Sequence, residues 1–139
     1  MSIGSGVMSI QFGTELFNPQ TPVEIPIRGF TNGERIRVVL IPNDKKDQRF
    51  HINLRSGSDI IIHFNPRLKD KMIVFNSLLN GSWQKERTLG VNFPFKKNNI
   101  YTIEFIASYH NSVTCQSGYK ITTLEISGDV HVHSVHTTI

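Results

Sequence analysis

Cysteine is nearly absent from the sequence: Cys115 alone excludes an internal disulfide and a structural zinc site built from several cysteines. No apolar run approaches the roughly 18 residues of a membrane span, so we expect no membrane insertion. Basic character is weak, with 15 Lys and Arg against 11 Asp and Glu. The densest basic pairs lie in turn-like stretches rather than in a stripe, which argues against a nucleic-acid partner: Lys45 with Lys46, and Lys96 with Lys97.

A secretory signal is also missing from residues 1–10, which contain no basic segment followed by an apolar run and a cleavage site. We therefore expect synthesis in the cytosol, where a lone cysteine stays reduced. The chain of 139 residues has the size of one domain, and 38% hydrophobic residues are sufficient for a single core. No linker, low-complexity run or clear repeat divides it.

Helical periodicity is almost absent as well, and short alternating or β-branched segments take its place. Turn pairs such as Asn32-Gly33 and Asn80-Gly81 separate these segments. The pattern predicts an all-β fold, an antiparallel sandwich of two sheets or a jelly roll. The candidate strands are 23–27, 35–41, 48–54, 59–64, 72–77, 100–108, 112–115, 121–126 and 130–135.

Alternation within the strands separates a core face from a polar face, because successive side chains point to opposite sides of a sheet. In 48–54 it predicts a core set of Phe50, Ile52 and Leu54, and a polar set of Arg49, His51 and Asn53. In 59–65 it predicts a core set of Ile60, Ile62 and Phe64, and an opposite set of Ile61, His63 and Asn65. Val74 and Asn76 share a face of 72–77. Neighbouring strands of this kind would display a cluster of imidazole, amide and guanidinium groups.

Such a cluster suits a sugar, whose hydroxyls both donate and accept hydrogen bonds and whose C–H face favours an aromatic ring. Trp83, the only tryptophan, follows a turn at residues 80–82, and Glu86 comes three residues later. The carboxylate of Glu86 is suited to hold both a hydroxyl and a guanidinium such as that of Arg67. The polar face is therefore a candidate carbohydrate site.

Several segments with their order and spacing resemble the galectin family of β-galactoside-binding lectins. They are HFNPR at 63–67, VFN at 74–76, WQKE at 83–86, FPF at 93–95 and LEISGDVHVHSV at 124–135. The resemblance assigns residues 17–139 to a galectin-like carbohydrate-recognition domain and leaves 1–16 as a partly flexible N-terminal segment. Galectins act inside and outside cells without a signal peptide, so the resemblance extends the expected localisation from the cytoplasm to the cell exterior.

The resemblance also implies roles for individual residues. His63, Asn65 and Arg67 would select the axial hydroxyl of galactose, with Pro66 ending the strand so that Arg67, held by Glu86, lies beside them. Asn76 and Glu86 would bind the adjoining primary hydroxyl, and Trp83 would stack on the apolar sugar face. Secondary candidates are Val74, Arg49, His51, Asn53 and Arg87. The implied function is reversible, non-catalytic binding of β-galactosides of the lactose or N-acetyllactosamine type, on glycoproteins or glycolipids, without metal or cofactor.

The sequence departs from the family pattern in three places. Thr88 occupies the usual position of an arginine, and Arg87 comes one residue early, so that in an extended strand it would point to the opposite face unless a bulge returned it. The loop containing residues 68–71 is short. About one strand is missing before 121–126, which predicts that an edge strand of the sheet opposite the sugar face is missing or replaced. The exposed edge would favour pairing with a second copy, as in a homodimer.

Other functions stay open beside the lectin. A galectin-like fold with weak or lost sugar binding would act as a structural or protein-interaction module, as Thr88 and the missing strand suggest. A glycoside hydrolase would need a second carboxylate, for which Asp70 is the candidate partner of Glu86, but its polar turn does not favour that role. His131 and His133 have no further metal ligand nearby in the sequence, so no metal site is expected.

Overall fold

Strands of two antiparallel sheets make up the fold, which the computed structural model describes for residues 12–31, 33–108 and 120–138. These parts of the chain contain no helix that could cross a membrane. In chain order the strands are β1 (Phe12–Phe17), β2 (Val23–Pro26), β3 (Arg35–Pro42), β4 (Phe50–Ser56), β5 (Asp59–Arg67), β6 (Met72–Leu79), β7 (Ser82–Trp83), β8 (Arg87–Leu89), β9 (Tyr101–Ile106), β10 (Thr123–Gly128) and β11 (Val130–Thr138).

The smaller sheet has the strand order β1-β11-β3-β9, and the larger sheet has the order β2-β10-β4-β5-β6-β7, with β8 also pairing with β6. The predicted all-β sandwich of two antiparallel sheets is confirmed. Most candidate strands correspond to observed ones within a few residues. The candidate strand at 112–115 lies outside the described residues, as does Cys115, so the missing edge strand stays a prediction.

The core lies between the sheets and uses the predicted face of β4. Phe50, Ile52 and Leu54 are fully buried there, and Leu124 and Ile126 of β10 lie beside them. The opposite sheet contributes a second buried layer, which consists mainly of Ile36, Val38, Leu40, Val132 and Val135. Each such side chain contributes about 1.5–3 kcal/mol on burial, so this layer fixes the orientation of β4. Residues 51 and 53 must then face away from the core.

A β-bulge in β5 changes the predicted faces of Ile61 and Ile62. Leu54 pairs with Ile62, but the next residue, Arg55, pairs with Ile60, which leaves Ile61 as the extra residue. Ile61 packs against the core, whereas Ile62 is 37% exposed. The core assignment of Ile62 and the outward assignment of Ile61 were therefore wrong. A bulge inserts one residue without a partner, and alternation is lost at that point.

Three strands have no counterpart in the sequence prediction. β1 pairs with β11 from residue 12 onward, so the boundary drawn at residue 17 falls at the end of a strand and residues 12–16 belong to the smaller sheet. β7 and β8 are only two and three residues long, and both pair with β6. Segments of two or three residues are too short to show the alternation of apolar and polar residues that identifies a strand.

The junction between β10 and β11 fixes the start of β4. Gly128 has a φ of 103°, and a Cβ atom there would lie 2.7 Å from both Arg49 O and Phe50 Cα. Asp129 is buried and its Oδ2 accepts three backbone N–H bonds at 2.7, 2.9 and 2.9 Å, from Lys46, Asp47 and Gln48. Only glycine fits the close approach at residue 128, and the carboxylate at 129 anchors the turn that leads into β4.

Candidate carbohydrate-binding site

An open groove runs along the outer face of the larger sheet, on the side away from the core. It has a volume of about 450 Å³, and its lining residues are His63, Arg67, Val74, Asn76, Trp83, Gln84 and Glu86. Five of the six residues that the sequence assigned to the primary site therefore line one groove. The sixth, Asn65, lies in the same strand, between His63 and Arg67.

Strand register brings these distant segments together. β5 and β6 are antiparallel, and His63 lies opposite Asn76 while Asn65 lies opposite Val74. Residues that face each other across an antiparallel pair point to the same side of the sheet. Trp83 joins them from β7 because it pairs with Leu78, two residues beyond Asn76 on the same face of β6. The short turn between β5 and β6 fixes this register.

Trp83 forms one wall of the groove. The turn before it places Asn80 and Gly81 at positive φ, 52° and 79°, which returns the chain so that β7 runs beside β6. The indole is 52% exposed, and its ring contacts the edge of the His63 ring at a centroid distance of 5.1 Å. An exposed indole next to polar groups offers an apolar surface to the C–H face of a sugar. An indole with this exposure is not part of the core.

Pro66 does not end β5, as the sequence suggested, but pairs with Ile73 inside the strand. Toward β4, Leu68 N donates to Gln48 O at 2.8 Å, so the next hydrogen-bonded rung of this ladder would join residues 66 and 50. Proline has no N–H for that rung. Asn65 Nδ2 donates to Phe50 O at 2.7 Å and supplies the missing bond.

Asn65 is consequently 4% exposed and lies beneath the groove rather than lining it. Its Oδ1 accepts a hydrogen bond of 3.0 Å from Arg67 Nε, which directs the rest of the guanidinium toward the groove. The sequence led us to expect Glu86 to hold Arg67. Among the ion pairs of the described residues there is none between these two, because Arg67 Nε is taken by Asn65 while Glu86 projects from the exposed segment between β7 and β8.

His63 is positioned by a chain of polar side chains that reaches across three strands. Its Nδ1 lies 2.6 Å from Asn53 Oδ1 of β4, and Asn53 Nδ2 donates to Glu125 Oε1 of β10 at 3.1 Å. Arg55 Nε lies 2.7 Å from the same carboxylate oxygen and forms an ion pair with it. Asn53, which the sequence left as a secondary candidate, is buried at 5% exposure and supports His63.

Glu125 was not among the sequence-predicted site residues. The signal for it was present in the alternation of β10, because Leu124 and Ile126 are buried in the core and Glu125 must then face the opposite way. What the sequence did not show is that β10 lies next to β4, with Glu125 directly opposite Asn53. That pairing joins residues 72 positions apart in the chain.

The electrostatics of the cluster favour a neutral imidazole. Burial, together with the neighbouring His51 and Arg67, lowers the pKa of His63 to about 4. Burial also lowers the pKa of His51, although Glu125 opposes that shift. Burial disfavours the charged form of Glu125, but its contacts with Arg55 and Asn53 outweigh this, and the pKa of Glu125 is lowered. The carboxylate is ionised at neutral pH while His63 is not.

The remaining secondary candidates occupy different places. Val74 is buried at the floor of the groove, and the His51 ring lies beside that of His63 at a centroid distance of 5.4 Å. Arg49 pairs with Arg67 at the end of the sheet but is not itself among the residues that line the groove. His131 and His133 lie in β11 of the other sheet, and no group of three or more metal-ligating side chains occurs in the parts of the chain described.

Arg87 is not on the groove face. It pairs with Phe75, whose side chain packs against the core, whereas Thr88 pairs with Val74 on the face of the groove. No bulge between Glu86 and Thr88 returns Arg87, so its assignment as a secondary sugar contact is corrected. Arg87 instead lines a second groove of about 640 Å³, together with Ile61, Ile62, Phe75, Asn76, Ser77, Gln84, Lys85 and Phe105.

A two-sheet antiparallel sandwich that carries an open polar groove beside an exposed tryptophan on one sheet has the architecture of a β-sandwich lectin. Comparison with known proteins agrees, because residues 21–137 match the family model of galactoside-binding lectins. Human galectin-7 is 35% identical over 117 residues, which cover 73% of this chain and 83% of that protein. The chain belongs to the galectin family.

Other relatives support this assignment. A 32 kDa β-galactoside-binding lectin of Caenorhabditis elegans is 33% identical over 105 residues, which cover 66% of this chain and 37% of that longer protein. Among solved structures, galectin LEC-6 of C. elegans superposes with a TM-score of 0.80 at 41% identity, covering 94% of this chain and 100% of that one. Members of the family are lectins rather than enzymes, so the family assignment agrees with a binding function.

Proposed function

We propose that the chain binds β-galactosides of the lactose or N-acetyllactosamine type reversibly in the groove of β5, β6 and β7, without catalysis. The observation that carries this proposal is the three-sided arrangement of Trp83, His63 and Arg67 around one open groove. An apolar wall, an imidazole and a guanidinium together meet the C–H face and the hydroxyls of one sugar ring.

Recognition would depend on the direction of each hydrogen bond. Arg67 donates only, because a guanidinium has no acceptor. A hydroxyl bound between Arg67 and an accepting imidazole nitrogen of His63 would accept from the first and donate to the second, as the axial hydroxyl of galactose can. Asn76, opposite His63, and Glu86 also line the groove, where they would bind the adjoining primary hydroxyl. Trp83 would supply most of the apolar contact.

The test is a lactose titration followed by the fluorescence of Trp83, the only tryptophan, with sucrose as the control sugar. A saturable change with lactose alone, reproduced by calorimetry, would support the proposal and locate the sugar next to Trp83. An unchanged spectrum together with no calorimetric heat and no signal on a glycan array would overturn it.

A second candidate function is a protein-interaction module that has lost useful sugar binding. Thr88 on the groove face removes a cation where the family usually has one, and the second groove is a further recess whose lining includes Lys85 and Arg87. Lactose binding would refute this alternative as the main function of the chain. An acid pair for hydrolysis finds less support, because Asp70 is exposed in the turn between β5 and β6 and does not line the groove with Glu86.

A further inference from the structure

The hydrogen bond between His63 and Asn53 is ambiguous by itself, because either ring tautomer and either amide orientation would give one contact of 2.6 Å. Neutral imidazole donates through one nitrogen and accepts through the other. Which nitrogen of His63 carries the proton therefore decides what the groove offers to a ligand hydroxyl. The answer must come from a group whose own hydrogen-bonding role is not ambiguous.

Glu125 is that group. An ionised carboxylate accepts hydrogen bonds and cannot donate, so the atom of Asn53 that lies 3.1 Å from Glu125 Oε1 must be the donating Nδ2. Rotation of the amide would place Asn53 Oδ1 against a carboxylate oxygen with no proton between them. Arg55, whose Nε lies 2.7 Å away, places a positive charge beside the carboxylate of Glu125 and favours its ionised form. Burial of Asn53 leaves water little access to the amide.

We propose that Glu125, acting through Asn53, holds His63 in the tautomer protonated at Nδ1 and so presents Nε2 to the groove as a hydrogen-bond acceptor. Glu125 fixes the amide of Asn53, whose Oδ1 then accepts from the Nδ1–H of His63. Nε2 has no hydrogen-bond partner within the described parts of the chain and stays available to a ligand. Glu125 and Asn53 are thus positioning residues, and neither lines the groove.

The consequence is a groove with a defined polarity. Arg67 Nε is bound to Asn65, so the outer nitrogens of its guanidinium are the donors that face the ligand, while His63 Nε2 is the acceptor. The site selects a group that accepts and donates at the same atom, which a hydroxyl does and an ether oxygen does not. The inference rests on the proposed function for this selectivity, but the tautomer is a property of the protein without sugar.

The test is long-range ¹H–¹⁵N NMR of the histidine rings in the sugar-free protein at about pH 7, where the two neutral tautomers give different nitrogen shifts. His63 is assigned by comparison with the His63→Gln variant. We expect Nδ1 of His63 to carry the proton in the native protein. Asn53→Leu and Glu125→Gln should each produce a mixture with the Nε2–H form. Glu104→Gln, which removes one carboxylate from the other sheet, should leave the pattern unchanged.

In the same variants the affinity for lactose should fall about tenfold, as the loss of one oriented hydrogen bond implies, while Glu104→Gln keeps the native affinity. An Nε2–H tautomer in the native protein, or an unchanged ring pattern in folded Glu125→Gln, would overturn the inference. If the native protein shows the Nδ1–H tautomer but does not bind lactose, the positioning of His63 stands and the proposed function fails.

Discussion

At the scale of single residues, the two buried amides of the site, Asn65 and Asn53, each have a structural partner and a functional one. Asn65 completes the ladder beside Pro66 with its nitrogen and holds Arg67 with its oxygen. Asn53 joins Glu125 and His63 in the same manner. Because the nitrogen and the oxygen of each of these amides both have a partner, the orientations of the two side chains are fixed by buried contacts before any ligand binds. Such preorganisation lowers the cost of binding, since fewer side chains lose freedom when the sugar enters.

Two arginines on opposite faces of the larger sheet, the partly buried Arg67 of β5 and the exposed Arg87 of β8, provide a pair of variants. Arg67→Ala should weaken lactose binding at least about tenfold, because it removes the charged donors of the groove. Arg87→Ala removes the same charge from the opposite face and should leave the affinity within about twofold of native. Calorimetric titration of both variants with lactose measures the difference. Equal losses in the two would mean that the sugar does not lie on the groove face.

Sugar binding should resist mild acid. The folded pKa of His63 is lowered to about 4 from 6.5, so the imidazole stays neutral far below its usual range. The groups that face it are His51 of β4, Arg67 of β5, Glu125 of β10 and Glu86 of the groove. Protonation would turn the acceptor nitrogen into a donor next to Arg67, so affinity should fall only as the pH approaches about 4.

The sign for stability follows from the same shift. Between about pH 6.5 and about pH 4 the unfolded chain binds a proton at His63 that the folded chain does not bind. The contribution of neutral His63 to the free energy of unfolding is therefore complete above about pH 6.5 and is lost as the pH falls toward 4. An NMR titration of the His63 ring protons, with and without lactose, measures the folded pKa on which the predictions for binding and for stability both rest. An inflection near 6.5 in the native protein would contradict them.

At the scale of strands, the junction of β10 and β11 is the most sensitive point outside the groove. Gly128→Ala combines a positive φ with a Cβ placed 2.7 Å from Arg49 O and Phe50 Cα. We expect the free energy of unfolding to fall by about 3–5 kcal/mol. Gly57→Ala is the control, because its φ of 61° is also positive but nothing lies within 4 Å of the added atom. It should cost only about 1–2 kcal/mol.

Urea unfolding of the two glycine variants measures these losses. A Gly128→Ala protein no less stable than Gly57→Ala would show that β4 can move away from the junction. Because Gly128 pairs with Phe50 at the start of β4, a folded variant of this kind should also bind lactose less tightly, through displacement of His51 and Asn53.

Much of the element order followed from the sequence, and the failures have physical causes. Alternation located β3, β4, β6 and β11 because each has one face in the core and one outside. Alternation failed at the bulge in β5, where one residue has no partner. The expectation that a proline ends a strand failed at Pro66, where a side chain takes over the role of a backbone N–H. The bulge and the replaced hydrogen bond both depend on contacts between strands, and a local sequence pattern contains no information about such contacts.

The site was predicted to a similar degree. Resemblance and spacing identified His63, Arg67, Asn76, Trp83 and Glu86, and all five line the groove. The hydrogen bond between Asn53 and Glu125 that supports His63 was not predicted, because it depends on β10 lying beside β4. The partner assigned to Arg67 was wrong for a related reason, because a neighbour two residues away in β5 was closer than Glu86.

At the scale of the whole molecule, the two sheets differ in width over the residues that the structure describes. The larger sheet follows a path of six strands, whereas the described part of the smaller one has four and ends at β9. The second groove lies on this side of the molecule, between Phe75 of β6 and Phe105 of β9. Each described chain carries one candidate sugar groove, so cross-linking of glycans would need a second copy or a second domain. The expected homodimer stays a prediction.

Lactose should stabilise the folded chain as a whole. A ligand at about 100 times its dissociation constant adds about 2.7 kcal/mol to the free energy of unfolding if it binds only the folded state. For a domain of 139 residues this corresponds to a rise in melting temperature of roughly 5–10 °C. Thermal unfolding followed by circular dichroism measures it, with sucrose and the Arg67→Ala variant as controls. A rise of the same size in either control would point to a solvent effect rather than to binding.

In the short strand β8, the number of residues that precede it decides which side chain faces the groove. Arg87 and Thr88 are neighbours on opposite faces, so the groove face carries a hydroxyl and the far face carries the cation. Inserting a single residue after Glu86 would exchange the two faces and bring the guanidinium beside Val74 without altering any existing side chain. In this strand an insertion or deletion is a more economical evolutionary route to new ligand specificity than a substitution, and related chains that differ by one residue here would differ in the glycans they prefer.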